Sequence, residues 1–163
     1  MQILKWVLIV AAVLLAAGLG AGRLGLLRGS PPQDLGVREG RLKPPATTPN
    51  SVSSQAALYP GQPGHTDAQI APLRYSDRPA AAMARLRALV EARRGAQVEK
   101  AGPDYLYATF TTPLLGFVDD VEFWLDPAGG VIQLRSASRL GQRDLGANRA
   151  RIETLRSGFE PAP

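Results

Sequence analysis

Three acids crowd into one short run, Asp119-Asp120-Val121-Glu122, with Asp126 four residues further on and no base between residues 117 and 126. Carboxylates at this spacing can do two kinds of chemistry. Two of them can divide the acid and base roles of a hydrolysis, or several can offer oxygens to Mg²⁺ or Ca²⁺. Arginines follow at positions 135, 139, 143, 149, 151 and 156. A guanidinium beside a carboxylate either neutralises it as part of the structure or holds an anionic ligand. The candidate ligand or ion-pair site therefore comprises Asp119, Asp120, Glu122, Arg135, Ser136, Ser138, Arg139, Arg143 and Arg149. Charged groups inside good strands are costly unless paired. A structural ion-pair network is the plainer account, and a polar pocket for a small ligand or ion is the sharper one.

Other chemistries fall away. The 163 residues hold no cysteine and one histidine, which excludes disulfides, thiolate metal sites and a cysteine nucleophile. His65 sits among Pro and Gly, where an exposed loop histidine is expected. No Gly-x-Ser-x-Gly elbow and no glycine-rich phosphate loop occurs. No cofactor and no metal is called for. The net charge of +5 includes Lys5, Arg23 and Arg28 near the N-terminus. The remainder is close to balance, which is no nucleic-acid footprint.

The elements that must position the acids are legible. Tyr105–Thr111 is aromatic and β-branched, a strand ended by Pro113. Phe117–Leu125 and Val131–Ser138 flank Asp126-Pro127-Ala128-Gly129-Gly130 and read as a hairpin with a five-residue connection. The simplest register sets Leu125 opposite Val131. That puts Asp119 and Arg135 on one face, and Asp120 and Glu122 on the other with Ser136 and Ser138. Gln97–Lys100 makes a further short strand, and Ile70–Tyr75 an edge strand restricted by Pro72.

Two helices follow from spacing. Ser76-Asp77-Arg78-Pro79 opens one, with a Ser or Asp cap; Met83, Leu86, Leu89 and Val90 form its apolar stripe and Gly95 stops it. Asp144 or Asn148 caps the other, in which Ile152 and Leu155 face inward, Gly158 ends the run and Phe159 folds back. Either Arg149 or Arg151 can reach the acids. The fold class expected is α+β, an antiparallel sheet of four to five strands covered by two helices, within residues 70–160.

Before this domain come two other segments. Residues 29–69 hold Gly29-Ser30-Pro31-Pro32, Lys43-Pro44-Pro45 and Pro60-Gly61-Gln62-Pro63-Gly64, and read as tether or loop. Residues 1–28 hold Trp6–Gly22, 17 uncharged residues between Lys5 and Arg23. Three fates fit that run: a single membrane-spanning helix, a cleaved signal, or a buried helix. The basic residues after it, Arg23, Arg28, Arg38, Arg41 and Lys43, argue for a cytoplasmic domain. An apolar run this near the start acts more often as an export signal. The expectation is a single-pass N-terminal anchor in a bacterial cell membrane with the domain in the periplasm.

Gly116-Phe117-Val118-Asp119-Asp120-Val121-Glu122-Phe123, Arg135-Ser136-Ala137-Ser138-Arg139 and Asp144-Leu145-Gly146-Ala147-Asn148-Arg149 together resemble the bacterial and plastid family catalogued as domain of unknown function 1499. Pro49-Asn50-Ser51-Val52-Ser53-Ser54-Gln55 is similar to its N-terminal motif, and the resemblance covers about residues 47–158. The family commonly carries a cysteine where this chain has Ser51, which argues against an essential thiol there. The resemblance implies an envelope setting and no particular chemistry. The function expected is a membrane-tethered, non-enzymatic module that binds a small ligand or an envelope protein, with no nucleic-acid partner. The alternative is a hydrolase-like enzyme using Asp119, Asp120 and Glu122 with Arg135 or Arg139.

Overall fold

Alternation along the strands divides the sheet into an apolar face and a polar one, and the two faces are covered by different material. The computed structural model describes residues 2–160. Helix α1, Gln2–Arg23, contains no buried residue. The strands are β1 (Ser51–Ser53), β2 (Leu73–Arg74), β3 (Ala96–Ala101), β4 (Tyr105–Thr111), β5 (Val118–Asp126) and β6 (Val131–Ser138). Helix α2, Pro79–Glu91, precedes β3, and α3, Ala147–Phe159, follows β6. The α+β class is as expected.

The sheet is antiparallel in the order β1-β6-β5-β4-β3. It has six strands, not four to five, because two short strands share the free edge of β6. Leu73 and Arg74 of β2 pair with Ile132 and Val131, while β1 pairs with Arg135–Ala137. Strand β1 comes from the Pro49–Gln55 run, within the segment expected as tether or loop. That segment is packed: Leu42, Asn50, Val52, Gln55, Ala56 and Ala68 are all buried. Proline and glycine spacing hid it, since chain of this composition can lie on a sheet without any period of its own.

One face of the sheet presents Leu106, Ala108, Phe110, Val121, Phe123, Ile132 and Leu134 to α2 and α3. Met83, Leu86 and Val90 from α2 and Ile152, Leu155 and Phe159 from α3 complete this core. Each such side chain is worth about 1.5–3 kcal/mol of transfer free energy. Gly158 lies inside α3, not at its end. It sits against Leu89 of α2, where a Cβ would stand 3.4 Å from that side chain. The start of α2 also differs from expectation: Arg78 is the N-cap and gives no side-chain cap, because Asp77 pairs with Arg85.

The hairpin register is one residue from the expected one. Leu125 lies opposite Ile132 and Asp126 opposite Val131. Asp126 sets this. Its Oδ1 accepts the Ala128 and Gly129 amides at 3.1 and 3.0 Å, and its Oδ2 accepts Gln133 Nε2 at 3.0 Å. Gly130 completes the turn at φ +63°. A one-residue slip moves every β6 side chain to the other face. Arg135 thus leaves the face of Asp119 and lies opposite Glu122, while Ser136 and Ser138 join Asp119.

Candidate functional site

The acidic run straddles the sheet. Asp119 points toward the helices, and Asp120 and Glu122 point to the opposite face. All three are buried.

On the helix face, Asp119 accepts a hydrogen bond from Arg151 Nη2. Arg151 Nη1 also donates to Ser136 Oγ at 3.1 Å and to Asn148 Oδ1 at 2.7 Å, and its guanidinium lies 4.8 Å from the Phe110 ring centroid. Asn148, fully buried, donates through Nδ2 to the Asn50 carbonyl at 3.0 Å, Ser138 Oγ at 3.0 Å and Asp144 Oδ2 at 2.8 Å. Asp144 accepts the amides of Gly146 and Asn148 at 3.0 and 2.8 Å, so it caps α3 although Gly146 occupies the N-cap position. Burial works against the Asp144 charge, but these donors hold its carboxyl below the usual value.

The opposite face has two clusters. Arg139 grips Asp120 in a fork, Nε to Oδ2 at 2.9 Å and Nη2 to Oδ1 at 2.8 Å. Tyr107 donates its hydroxyl to the same Oδ1 at 2.6 Å. Burial and the hydrogen bond to Asp120 push the Tyr107 phenol up to about 12, and the Asp120 contact raises Arg139 as well. Beside them, Glu122 Oε1 accepts the Gly36 amide and the Tyr105 hydroxyl, both at 2.7 Å. Among the described residues its Oε2 has no hydrogen-bond partner, and Arg135 Nη1 stands 3.9 Å away. Arg135 Nε instead donates to the Pro44 carbonyl at 3.0 Å. Burial pushes the Glu122 carboxyl up, against the pull of the Gly36 amide, Tyr105 and Arg135. Burial likewise pushes the Arg135 guanidinium down.

The expected site residues thus separate into three clusters. Asp120 with Arg139, and Glu122 with Arg135, lie on one face; Asp119, Ser136 and Ser138 lie on the other. Arg149 is not brought in: it donates to the Asp67 and Gln69 carbonyls at 2.9 and 2.8 Å. Arg143 is exposed and lies outside all three clusters. The residues that sequence reasoning left out are Tyr105, Tyr107, Asn148 and Asn50. The two tyrosines had a signal, since period-two alternation in β4 places them on one face, opposite Trp124 and Glu122. Asn148 carries only a helix-cap signal, and nothing in the sequence pairs it with Asn50, 98 residues away.

Chemically, the arrangement is closed. Asp119 and Asp120 are on opposite faces and cannot act as a pair, and among the described residues no group of three or more His, Asp or Glu gathers for a metal ion. A polar groove of about 320 Å³ borders the Asp120 cluster, lined by Tyr107, Thr109, Arg139, Gln97 and Glu99. A smaller cavity of about 160 Å³ lies within the overlying segment, between Gly36, Arg41, Lys43, Pro44 and Tyr59, and shares Gly36 and Pro44 with the bonds to Glu122 and Arg135.

A family model described as "Protein of unknown function (DUF1499)" matches residues 41–159, most of the chain and the whole of the sheet with α2 and α3. The chain belongs to the DUF1499 family. The matched span begins at residue 41, so it includes most of the segment laid over the polar face, β1 and the acids and arginines of the clusters, but not Gly36, whose amide donates to Glu122. Comparison with the curated proteins finds no match, and comparison with the solved structures finds none either.

Proposed function

We propose that this DUF1499 protein is a membrane-tethered, non-enzymatic module of the bacterial cell envelope, held on the periplasmic side, that binds a small ligand or a protein partner. The observation that carries the non-enzymatic part is the closure of the acidic run. Asp119 and Asp120 each have a bonded arginine, and Glu122 is fully buried beneath Gly36 and Tyr105. A catalytic carboxylate must reach the atom it serves, within about 2.6–3.2 Å. The binding part is supported by the polar groove bordered by Tyr107, Thr109 and Arg139.

Tethering is supported by α1. Its 22 residues are long and apolar enough to cross a bilayer and none is buried. At 1.5 Å per residue such a helix spans about 33 Å, close to the hydrocarbon thickness of a bilayer.

One observation favours the hydrolase-like alternative with Asp119, Asp120 and Glu122 beside Arg135 and Arg139. Glu122 has a raised carboxyl and an oxygen without a partner, the profile of a general acid. Its complete burial weighs against it. Asp120→Asn and Glu122→Gln variants decide between the two, scored for melting temperature and for rescue of a deletion strain. Variants that merely unfold would leave the ion-pair account standing; folded variants that fail to rescue would favour a site, and a turnover assay on that background then decides between enzyme and binder. A periplasm-only reporter fused after Pro163 that stays silent would sink the exported topology.

A further inference from the structure

The end of α1 and the domain meet at a basic groove. Gly22 lies against Leu115 so closely that a Cβ there would stand 2.6 Å from the Leu115 carbonyl oxygen, and a Cβ on Gly116 would meet the Gly22 carbonyl at 3.1 Å. This contact fixes the level at which an apolar helix gives way to folded domain. An open groove of about 410 Å³ runs along it, bordered by Arg23, Arg28, Arg94, Thr111, Thr112 and Leu114, with no acid in its lining. The three arginines are exposed, and none takes part in the ion pairs formed among the described residues. Arg28 and Thr111 continue into the groove that reaches Arg139.

Large apolar side chains stand in the open at the same level. Leu24, Leu26 and Leu114 are 78%, 69% and 74% exposed. Exposed leucines beside uncompensated arginines, at the exit of a membrane-length helix, offer apolar contact to an acyl chain and donors to a phosphate side by side. Guanidinium groups meet phosphate oxygens in paired hydrogen bonds. We propose that this groove binds the phosphate of an anionic phospholipid in the leaflet where α1 emerges. The inference rests on α1 being a membrane anchor and adds a lipid class and three contact residues. It also gives Arg23 and Arg28 a use other than setting topology.

The test uses the full chain in vesicles of equal phosphatidylglycerol and phosphatidylcholine, with lipids retained after mild extraction counted by native mass spectrometry. Each basic residue at an anionic surface favours the anionic lipid by about fivefold, so the Arg23→Gln/Arg28→Gln/Arg94→Gln variant should lower the preference on the order of a hundredfold. Arg94→Gln alone, outside α1, should lower it about fivefold without disturbing insertion. Equal retention of both lipids by the unaltered chain, or an undiminished preference in the triple variant, overturns the proposal. Displacement of the lipid by millimolar inorganic phosphate assigns the groove to free phosphate and overturns it too. Carbonate washing separates the two levels: a chain released from the vesicles refutes the anchor and the lipid site together, whereas a retained chain without preference refutes the lipid site alone.

Discussion

Replacing Arg151 by methionine removes the cation that, among the described residues, serves Asp119, and keeps most of the side-chain volume. Asp119 is 3% exposed, so its charge would be left inside the domain without a partner. Breaking a buried pair in this way costs about 3–5 kcal/mol. Ser136 Oγ and Asn148 Oδ1 would lose a donor as well. Asp119→Asn should cost less, about 1.5 kcal/mol, the scale of one hydrogen bond to a charged group. Arg151 would keep Ser136, Asn148 and some contact with water, its side chain being 14% exposed. The double variant should cost less than the sum by about 1.5–3 kcal/mol, since the residues touch. Thermal unfolding of the full chain in mild detergent reads all three. The Arg151→Met melting point should fall by about 10–20 °C for a domain of this size. Two single variants that each cost under about 0.5 kcal/mol and add independently would refute the reasoning. Asp119 would then be available for some other role.

Glu122→Gln supplies a pH test. The folded-state value of Glu122 is raised above its ordinary 4.5 by burial. Its contribution to stability is therefore fully present below that ordinary value and lost as pH rises through the folded value. The melting-point difference between the Gln variant and the unaltered chain should shift in favour of the variant as pH climbs above about 4.5, and a flat difference curve would contradict this. Asp144 has the opposite sign: its lowered value stabilises the fold above the ordinary 3.8 and is lost on acidification, so Asp144→Asn should cost stability at pH 7 but converge on the unaltered chain in acid, as measured by urea midpoints. Gly95→Ala should cost about 2 kcal/mol or more by the same measurement, because Gly95 sits at φ +79° with the Thr111 carbonyl 2.4 Å from where a Cβ would be. Asp126→Ala should cost about 1–2 kcal/mol and broaden the amide resonances of the turn, since the amides of Ala128 and Gly129 lose their acceptor.

Strand β4 and both packed helices were legible because each carries an apolar period, and the hairpin because two β-branched and aromatic runs flank a glycine-bearing turn. Leu106, Ala108 and Phe110 alternate in β4, and Ile152, Leu155 and Phe159 recur at helical spacing in α3. The pairing of acids with arginines could be anticipated from cost alone, but not the partners. Local spacing cannot say that Arg151, rather than Arg149, reaches Asp119, since both sit in the first turns of one helix and the choice depends on how α3 lies on the sheet. The register failed for a different reason. Hydrophobicity in β6 does not alternate cleanly, so nothing in Val131–Ser138 opposes a slip, and a side-chain-capped turn at Asp126 decides it. The segment from Asp34 to Gln69 was least legible, for its one regular strand among the described residues is Ser51–Ser53 and much of the rest is held by side chains far along the chain, Glu122 on the Gly36 amide and Arg135 on the Pro44 carbonyl among them.

Those distant bonds give the buried charges of the polar face a structural purpose. Outside β1, the 3-10 turn Ala56–Leu58 and the isolated bridge between Arg38 and Arg41, the chain from Asp34 to Gln62 lacks a ladder of its own. Backbone laid over a sheet without one must find partners for its amides and carbonyls elsewhere. Here Glu122 takes the Gly36 amide, Arg135 takes the Pro44 carbonyl, Gln55 takes the Leu42 amide and the Gly40 carbonyl, and Tyr59 takes the Leu42 carbonyl. An apolar residue at 122 or 135 would bury more comfortably in the strand but would leave that backbone unpaired, at about 1–3 kcal/mol for each lost partner. Glu122 and Arg135 are therefore the complement of an irregular cover, which explains why they sit 3.9 Å apart without a hydrogen bond: each spends its best-directed atoms on the overlying chain.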